Sequence, residues 1–178
     1  LNNGKVTDNS RIVAASPTIK KIISDGGSCI LMSHLGRPKG VDQSLSMGNI
    51  TKEVERVLGA EILLSRDVIG PDAKSKSKAL KPGEILLLEN LRFHKEETEG
   101  DVAFAEELSK LADCYINDAF GTAHRAHAST TIIAQFFEYK FFGRLLEKEV
   151  LSIDKVMKSG EKPVLAILGG AKISTKIP

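Results

Sequence analysis

The sequence predicts an α/β protein: a parallel sheet flanked by helices in a Rossmann-like three-layer arrangement, truncated at both ends. Three observations carry this. Strand-like runs alternate with helix-period segments along the 178 residues. The runs are continuously apolar instead of alternating, as strands covered on both faces require. There is no internal repeat and no low-complexity tract.

The elements follow in order. Residues 9–25 read as a helix, with Ile12, Val13, Ile19, Ile22 and Ile23 at helical spacing and Gly26-Gly27 as its stop. Pro17 is expected to kink this helix or to mark a restart after Ser16. The run SCILMS, 28–33, is a buried strand. TKEVERVLG, 51–59, is a short helix closed by Gly59, and EILL, 61–64, is the next strand. GPDAKSKSKAL, 70–80, carries a Pro at a helix entry, and its lysines form a solvated face. EILLLE, 84–89, is a strand. Residues 101–112 form an amphipathic helix with Asp101 as N-cap, and CYIND, 114–118, is a strand. A helix is expected from about Ser129, and a longer one over 144–160. PVLAILGG, 163–170, reads as one more strand. The five aromatics between Phe136 and Phe142 read as core or domain-interface packing. The chain opens on Leu1 and closes on Pro178 just after a helix begins, so both ends read as cut.

Composition narrows the function classes. A hydrophobic fraction of 42% supports a proper core. A net charge of only +2 argues against a dedicated nucleic-acid binder and against a disordered tail. No run of apolar residues is long enough to span a membrane, and no signal peptide heads the chain, so a cytoplasmic protein is expected. Cys29 and Cys114 lack CxxC spacing and lie in strand-like runs, which predicts reduced, buried thiols.

The segments that follow the strands carry the chemistry. After CILM comes Ser33-His34-Leu35-Gly36-Arg37-Pro38-Lys39-Gly40. After EILLL comes Glu89-Asn90-Leu91-Arg92-Phe93-His94. After CYI comes NDAFGTAHRAHAS, with His124, Arg125 and His127. After VLAIL comes Gly169-Gly170-Ala171-Lys172. In an open parallel sheet these segments emerge at one edge, where ligands bind. Arg37, Arg92 and Arg125 are therefore expected to converge, with His34, His124, His127 and Lys172 able to join them. Convergent guanidiniums repel one another unless an anion or carboxylates intervene, and the nearby acids are few, Glu89 and Asp118. A small multiply charged anion is the expected partner, held by the paired donors of Arg and by backbone amides at Gly36, Gly121, Gly169 and Gly170.

Several residues carry plainer readings. His94, in HKEE, reads as part of a solvated turn. His124 and His127 have no carboxylate or cysteine at ligand spacing, so no metal site is expected. GGAK lacks the spacing of a Walker loop, and no G-x-G-x-x-G follows a strand, which excludes a dinucleotide-binding dehydrogenase half.

Together LMSHLGRP, LLLENLRF, NDAFGTAHRAHAS and AILGGAK resemble the hallmark stretches of the phosphoglycerate kinase family, in order and spacing, over essentially the whole chain. GKVTDNSRI is similar to the segment just after that family's first substrate-binding strand, whose Asp-Phe-Asn would precede Leu1. The resemblance implies a substrate-binding amino-terminal domain over 1–143 lacking its first strand, an interdomain helix over 144–160, and the start of the nucleotide-binding domain over 161–178. It implies phosphoryl transfer between 1,3-bisphosphoglycerate and ADP, or 3-phosphoglycerate and ATP in reverse, by a cytoplasmic monomer that binds neither membrane nor nucleic acid. Arg11, His34, Leu35, Gly36, Arg37, Arg92 and Arg125 match the substrate positions. Arg11 and Lys172 match the catalytic ones, and Gly169, Gly170 and Lys176 the nucleotide positions. Mg-ATP or Mg-ADP would be held mainly by the carboxy-terminal domain, so the fragment alone is expected to turn nothing over. The competing reading is a non-catalytic basic α/β module that binds polyanions.

Overall fold

The computed structural model of the protein describes residues 6–159 and Leu165. The chain divides into two compact units, residues 1–147 and 148–178. Helix α6, Arg144–Ser159, begins in the first and makes up most of what is described of the second.

The first unit alternates as its hydrophobic pattern requires. Helix α1 is Ser10–Ser24, β1 Cys29–Leu31, α2 Thr51–Leu58, β2 Ile62–Leu64, α3 Pro71–Ala79 and β3 Ile85–Leu87. Then follow α4, Lys95–Glu99, α5, Val102–Ser109, β4, Tyr115–Asn117, and β5, Lys140–Phe142. Local chemistry sets the ends. Gly59 ends α2 at φ +71°, a left-handed cap that a side chain would strain. Asp101 caps α5 by accepting from the Phe104 amide. Pro17 neither breaks nor restarts α1, which runs through it as one helix. The carbonyl of Val13, which loses its usual amide donor to the proline, accepts from Ser16 Oγ at 2.8 Å.

Among the described residues the strands form two parallel ladders, not one continuous hydrogen-bonded sheet. One has the order β1-β3-β2, with Leu86 paired to Ile30 on one side and Leu63 on the other. The second pairs β4 with β5. Strand β3 is buried on both faces. Ile85 and Leu87 pack with Ile19, Val54 and Leu58 of α1 and α2. Leu86 and Leu88 pack with Phe104, Leu108, Tyr115 and Ile133. This split by alternate residues gives the three-layer arrangement.

Several expectations are corrected. Residues from Ser129 form no α-helix; a short 3-10 segment, Ile132–Phe136, stands there. Strand β5 was not anticipated. Of the aromatic cluster, Phe137 is buried and stacks on Tyr115, with ring centroids 6.0 Å apart, and Phe136 packs beside it. Tyr139, Phe141 and Phe142 are exposed, the last at 76%. Cys29 is half-buried, and burial pushes its thiol up to about 11. Cys114 is exposed, because β4 begins one residue after it. The expected strand over 163–170 lies outside the described residues apart from Leu165. Among the described residues, no helix is long and apolar enough to cross a membrane.

Candidate functional site

The segments after β1, β3 and β4 meet at the carboxyl ends of those strands. Buried Asn90 joins the first two. Its Oδ1 accepts from the amides of Leu35, at 3.2 Å, and Arg92, at 3.1 Å. Its Nδ2 donates to the carbonyls of Leu35, at 2.7 Å, and Leu45, at 2.9 Å. Gly36 sits at φ +65°, where a Cβ would stand 2.7 Å from the Leu45 side chain. Its carbonyl accepts from Arg92 Nη1 at 2.6 Å. The turn after β1 is thus fastened to the turn after β3.

The third segment closes over α4. The Ala128 amide donates to the Glu97 carbonyl at 2.9 Å, and Gly100, at φ +70°, leaves no room for a Cβ beside the Ala126 carbonyl. The Arg125 carbonyl accepts from the hydroxyls of Thr130 and Thr131.

Between these segments lies an open cleft of about 460 Å³. Arg37, Arg92 and Arg125 all line it, with Lys39, Lys95 and His127, and no Asp or Glu does. The expected convergence of guanidiniums is therefore present. Burial, then the charges of Arg125 and Arg37, push Arg92 below the usual guanidinium range. Arg92 Nε is buried without a hydrogen-bond partner. Packed like charges and an orphaned donor are a site prepared for an anion.

Glu97 stands behind the cleft, fully buried at 0% exposure. Its Oε1 accepts from His34 Nε2 and from Ser129 Oγ, both at 2.7 Å, and its Oε2 from the Ser129 amide at 3.0 Å. His127 Nδ1 lies 3.7 Å from Oε1 and has no hydrogen-bond partner. The two imidazoles meet edge-on, 5.6 Å apart. Burial pushes His127 below the usual imidazole value, Glu97 opposes that shift, and His34, Arg125 and Arg92 reinforce it. His34, Glu97 and His127 are the one cluster among the described residues with ligand atoms close enough for a metal, all within 4.8 Å. The guanidiniums beside it oppose a divalent cation there, and the donors of the cleft suit an anion, not magnesium.

The remaining candidates are placed as follows. Arg11 is exposed in the first turn of α1, has Asp8 as a charged neighbour, and does not line the cleft. His34 reaches the cleft's rear through Glu97, and Leu35 packs into the core. His124 is exposed beside Arg125. Glu89 and Asp118, the acids expected nearby, are occupied elsewhere. Glu89 accepts from Ser46 and the Met47 and Asn90 amides. Asp118 accepts from Thr18 and the first amides of α6. Lys172, Lys176, Gly169 and Gly170 lie outside the described residues. Glu97, Ser129 and Asn90 were missed. HKEE is no solvated turn: it opens α4, its Glu97 is buried, and His94 packs on Phe104. An Asn directly after a buried strand was the one signal available for Asn90; Glu97 had none in its local sequence.

The phosphoglycerate kinase family model matches residues 1–178. The chain belongs to the phosphoglycerate kinase family. A phosphoglycerate kinase from Porphyromonas gingivalis is 47% identical over 99% of this chain, and one from Moorella thermoacetica 51% over 99%. The alignments cover 48% and 45% of those relatives, so the chain spans about half their length. Solved phosphoglycerate kinases from Coxiella burnetii and Pyrococcus horikoshii superpose with TM-scores of 0.84 and 0.87, at 36% and 32% identity. They share 99% and 98% of this chain and 44% of their own.

Proposed function

We propose that this chain supplies the 3-phosphoglycerate site of a phosphoglycerate kinase that transfers a phosphoryl group between 1,3-bisphosphoglycerate and ADP, and in reverse between 3-phosphoglycerate and ATP. One observation carries the reading: Arg37, Arg92 and Arg125 line a single cleft that no carboxylate lines. Fork-shaped donors fit the phosphate and carboxylate ends of a three-carbon acid.

The chemistry suits such a cleft. The acceptor in the ATP-consuming direction is a carboxylate with a pKa of about 3–4, ionised at neutral pH without a base. Transfer then needs positioning and charge neutralisation more than proton movement. Arg37, Arg92 and Arg125 bind and orient the acid. Arg11 and Lys172 are assigned to the charge that builds on the transferring group, where a well-placed donor contributes roughly 3 kcal/mol. Arg11 would have to leave Asp8 and reach the bound acid. The magnesium-bound nucleotide is assigned mainly to the part of the relatives that this chain does not cover, with Gly169, Gly170 and Lys176 as its local contacts. The domain assignment follows the same division: substrate binding over 1–143, an interdomain helix over 144–160, and the start of the nucleotide domain over 161–178. The whole protein is assigned as a cytoplasmic monomer, and the fragment by itself as a binder without turnover.

Titration with 3-phosphoglycerate tests the reading. Arg37→Ala and Arg92→Ala should each weaken binding at least tenfold. Binding indifferent to both substitutions defeats the assignment. RNA binding that falls steeply with salt, without preference for the three-carbon acid, would favour the polyanion module instead.

A further inference from the structure

Glu97 has no part in the anion reading above, yet it is the fully buried acid beside the cleft. Burying a carboxylate is costly unless hydrogen bonds and opposite charge compensate it. Ser129 and His34 together donate three bonds to it. His127 Nδ1, itself buried, approaches the same oxygen to 3.7 Å, beyond hydrogen-bond reach. With the proton on Nε2, Nδ1 turns a lone pair toward a carboxylate, and the two acceptors repel. With a proton on Nδ1, the same contact becomes a charge-assisted donor and acceptor pair.

We propose that Glu97 is a positioning residue that couples capture of a phosphorylated anion in the cleft to uptake of one proton at His127. The inference rests on the anion-site reading. In the free cleft, burial and the charges of His34, Arg125 and Arg92 oppose a charge on His127, and Glu97 alone among its charged neighbours favours it. Arg37, Lys39 and Lys95 line the same cleft and carry the same sign. A dianion between the guanidiniums offsets that opposition. Solvent then supplies a proton to Nδ1, and the imidazolium sits between the bound anion and Glu97. Affinity rises as pH falls, by at most tenfold per pH unit, between the midpoints of the free and bound imidazole.

Calorimetric titration of the protein with sulfate and with 3-phosphoglycerate, at pH 7 in two buffers of different ionisation heat, tests this. Sulfate carries no titrating proton in this range, whereas a phosphate monoester titrates near pH 6. The heat should depend on the buffer, by up to about half a proton taken up per sulfate bound. The His127 ring proton in NMR should titrate about one pH unit higher with sulfate than without, and binding should be about tenfold tighter at pH 5.5 than at pH 8.5. Glu97→Gln should abolish the proton uptake, whereas Ser129→Ala, which removes a hydrogen bond but no charge, should keep it. Sulfate binding with buffer-independent heat and an unmoved His127 midpoint overturns the inference alone. This comparison needs only the unsubstituted protein, so a poorly folding variant does not blunt it. Failure of either anion to bind overturns the cleft reading, and the inference with it.

Discussion

Asn90→Ala removes the side chain that fastens the turn after β1 to the turn after β3. Four hydrogen bonds are lost, to both backbone groups of Leu35, the Leu45 carbonyl and the Arg92 amide. A hydrogen bond contributes about 1 kcal/mol net, and a buried group left without a partner costs more. Four such bonds set a loss of about 4 kcal/mol, reduced to about 3 kcal/mol where loosening admits water. Asn90→Asp sharpens the test. It keeps the acceptor that faces two amides but replaces the donor that faces two carbonyls with an oxygen. At pH 7 a buried negative charge then meets both carbonyls, so this variant should be at least as unstable as the alanine one. Its carboxyl is pushed above the unfolded value, so stability should partly return as pH falls toward about 4 and the acid regains a proton. Guanidinium unfolding at pH 7 and pH 4 reads both effects. A loss under about 1 kcal/mol for the alanine variant, or a wild-type midpoint for the aspartate at pH 7, would refute the role given to Asn90.

Gly100→Ala places a Cβ against the Ala126 carbonyl at a positive φ, so it should cost at least about 2 kcal/mol and displace residues 124–129, read by unfolding and by amide shifts. Asp118→Ala removes the acceptor of the Leu145 and Leu146 amides and of Thr18, and should cost about 1–2 kcal/mol, with the start of α6 the first backbone to lose hydrogen-exchange protection. Glu107 is held down to about 2 by hydrogen bonds from Lys110 and Lys74. A carboxylate depressed in the fold contributes stability above its unfolded value, near 4.5, and loses it as pH falls toward 2. Thermal unfolding from pH 6 to pH 3 should therefore fall less steeply in Glu107→Gln than in the parent; equal slopes would contradict the pairing.

The layered pattern was legible because β3 is apolar at each position and the helices carry their own caps, as at Asp101 and Gly59. Those are local properties, and local reading finds them. The convergence of Arg37, Arg92 and Arg125 was also legible, since parallel strands deliver their following turns to one edge. What escaped is set by distant contacts. Glu97 looks solvated in HKEE and is buried only because residues 127–129 fold over it. The 3-10 segment Ile132–Phe136 replaces the expected α-helix where the preceding backbone bends toward Glu97, with the amides of Thr131 and Ile132 both donating to the His127 carbonyl. Strand β5 is three residues long with exposed side chains, so its two phenylalanines read as packing and nothing in their pattern marks the pairing to β4.

Soaking crystals of the protein with 3-phosphoglycerate gives the most direct test of the anion cleft. The account predicts ligand oxygens about 3 Å from the guanidinium nitrogens of Arg37, Arg92 and Arg125, with the orphaned Arg92 Nε taking one of them. Density for the acid elsewhere on the molecule, with these arginines unchanged and the cleft holding only water, would contradict it.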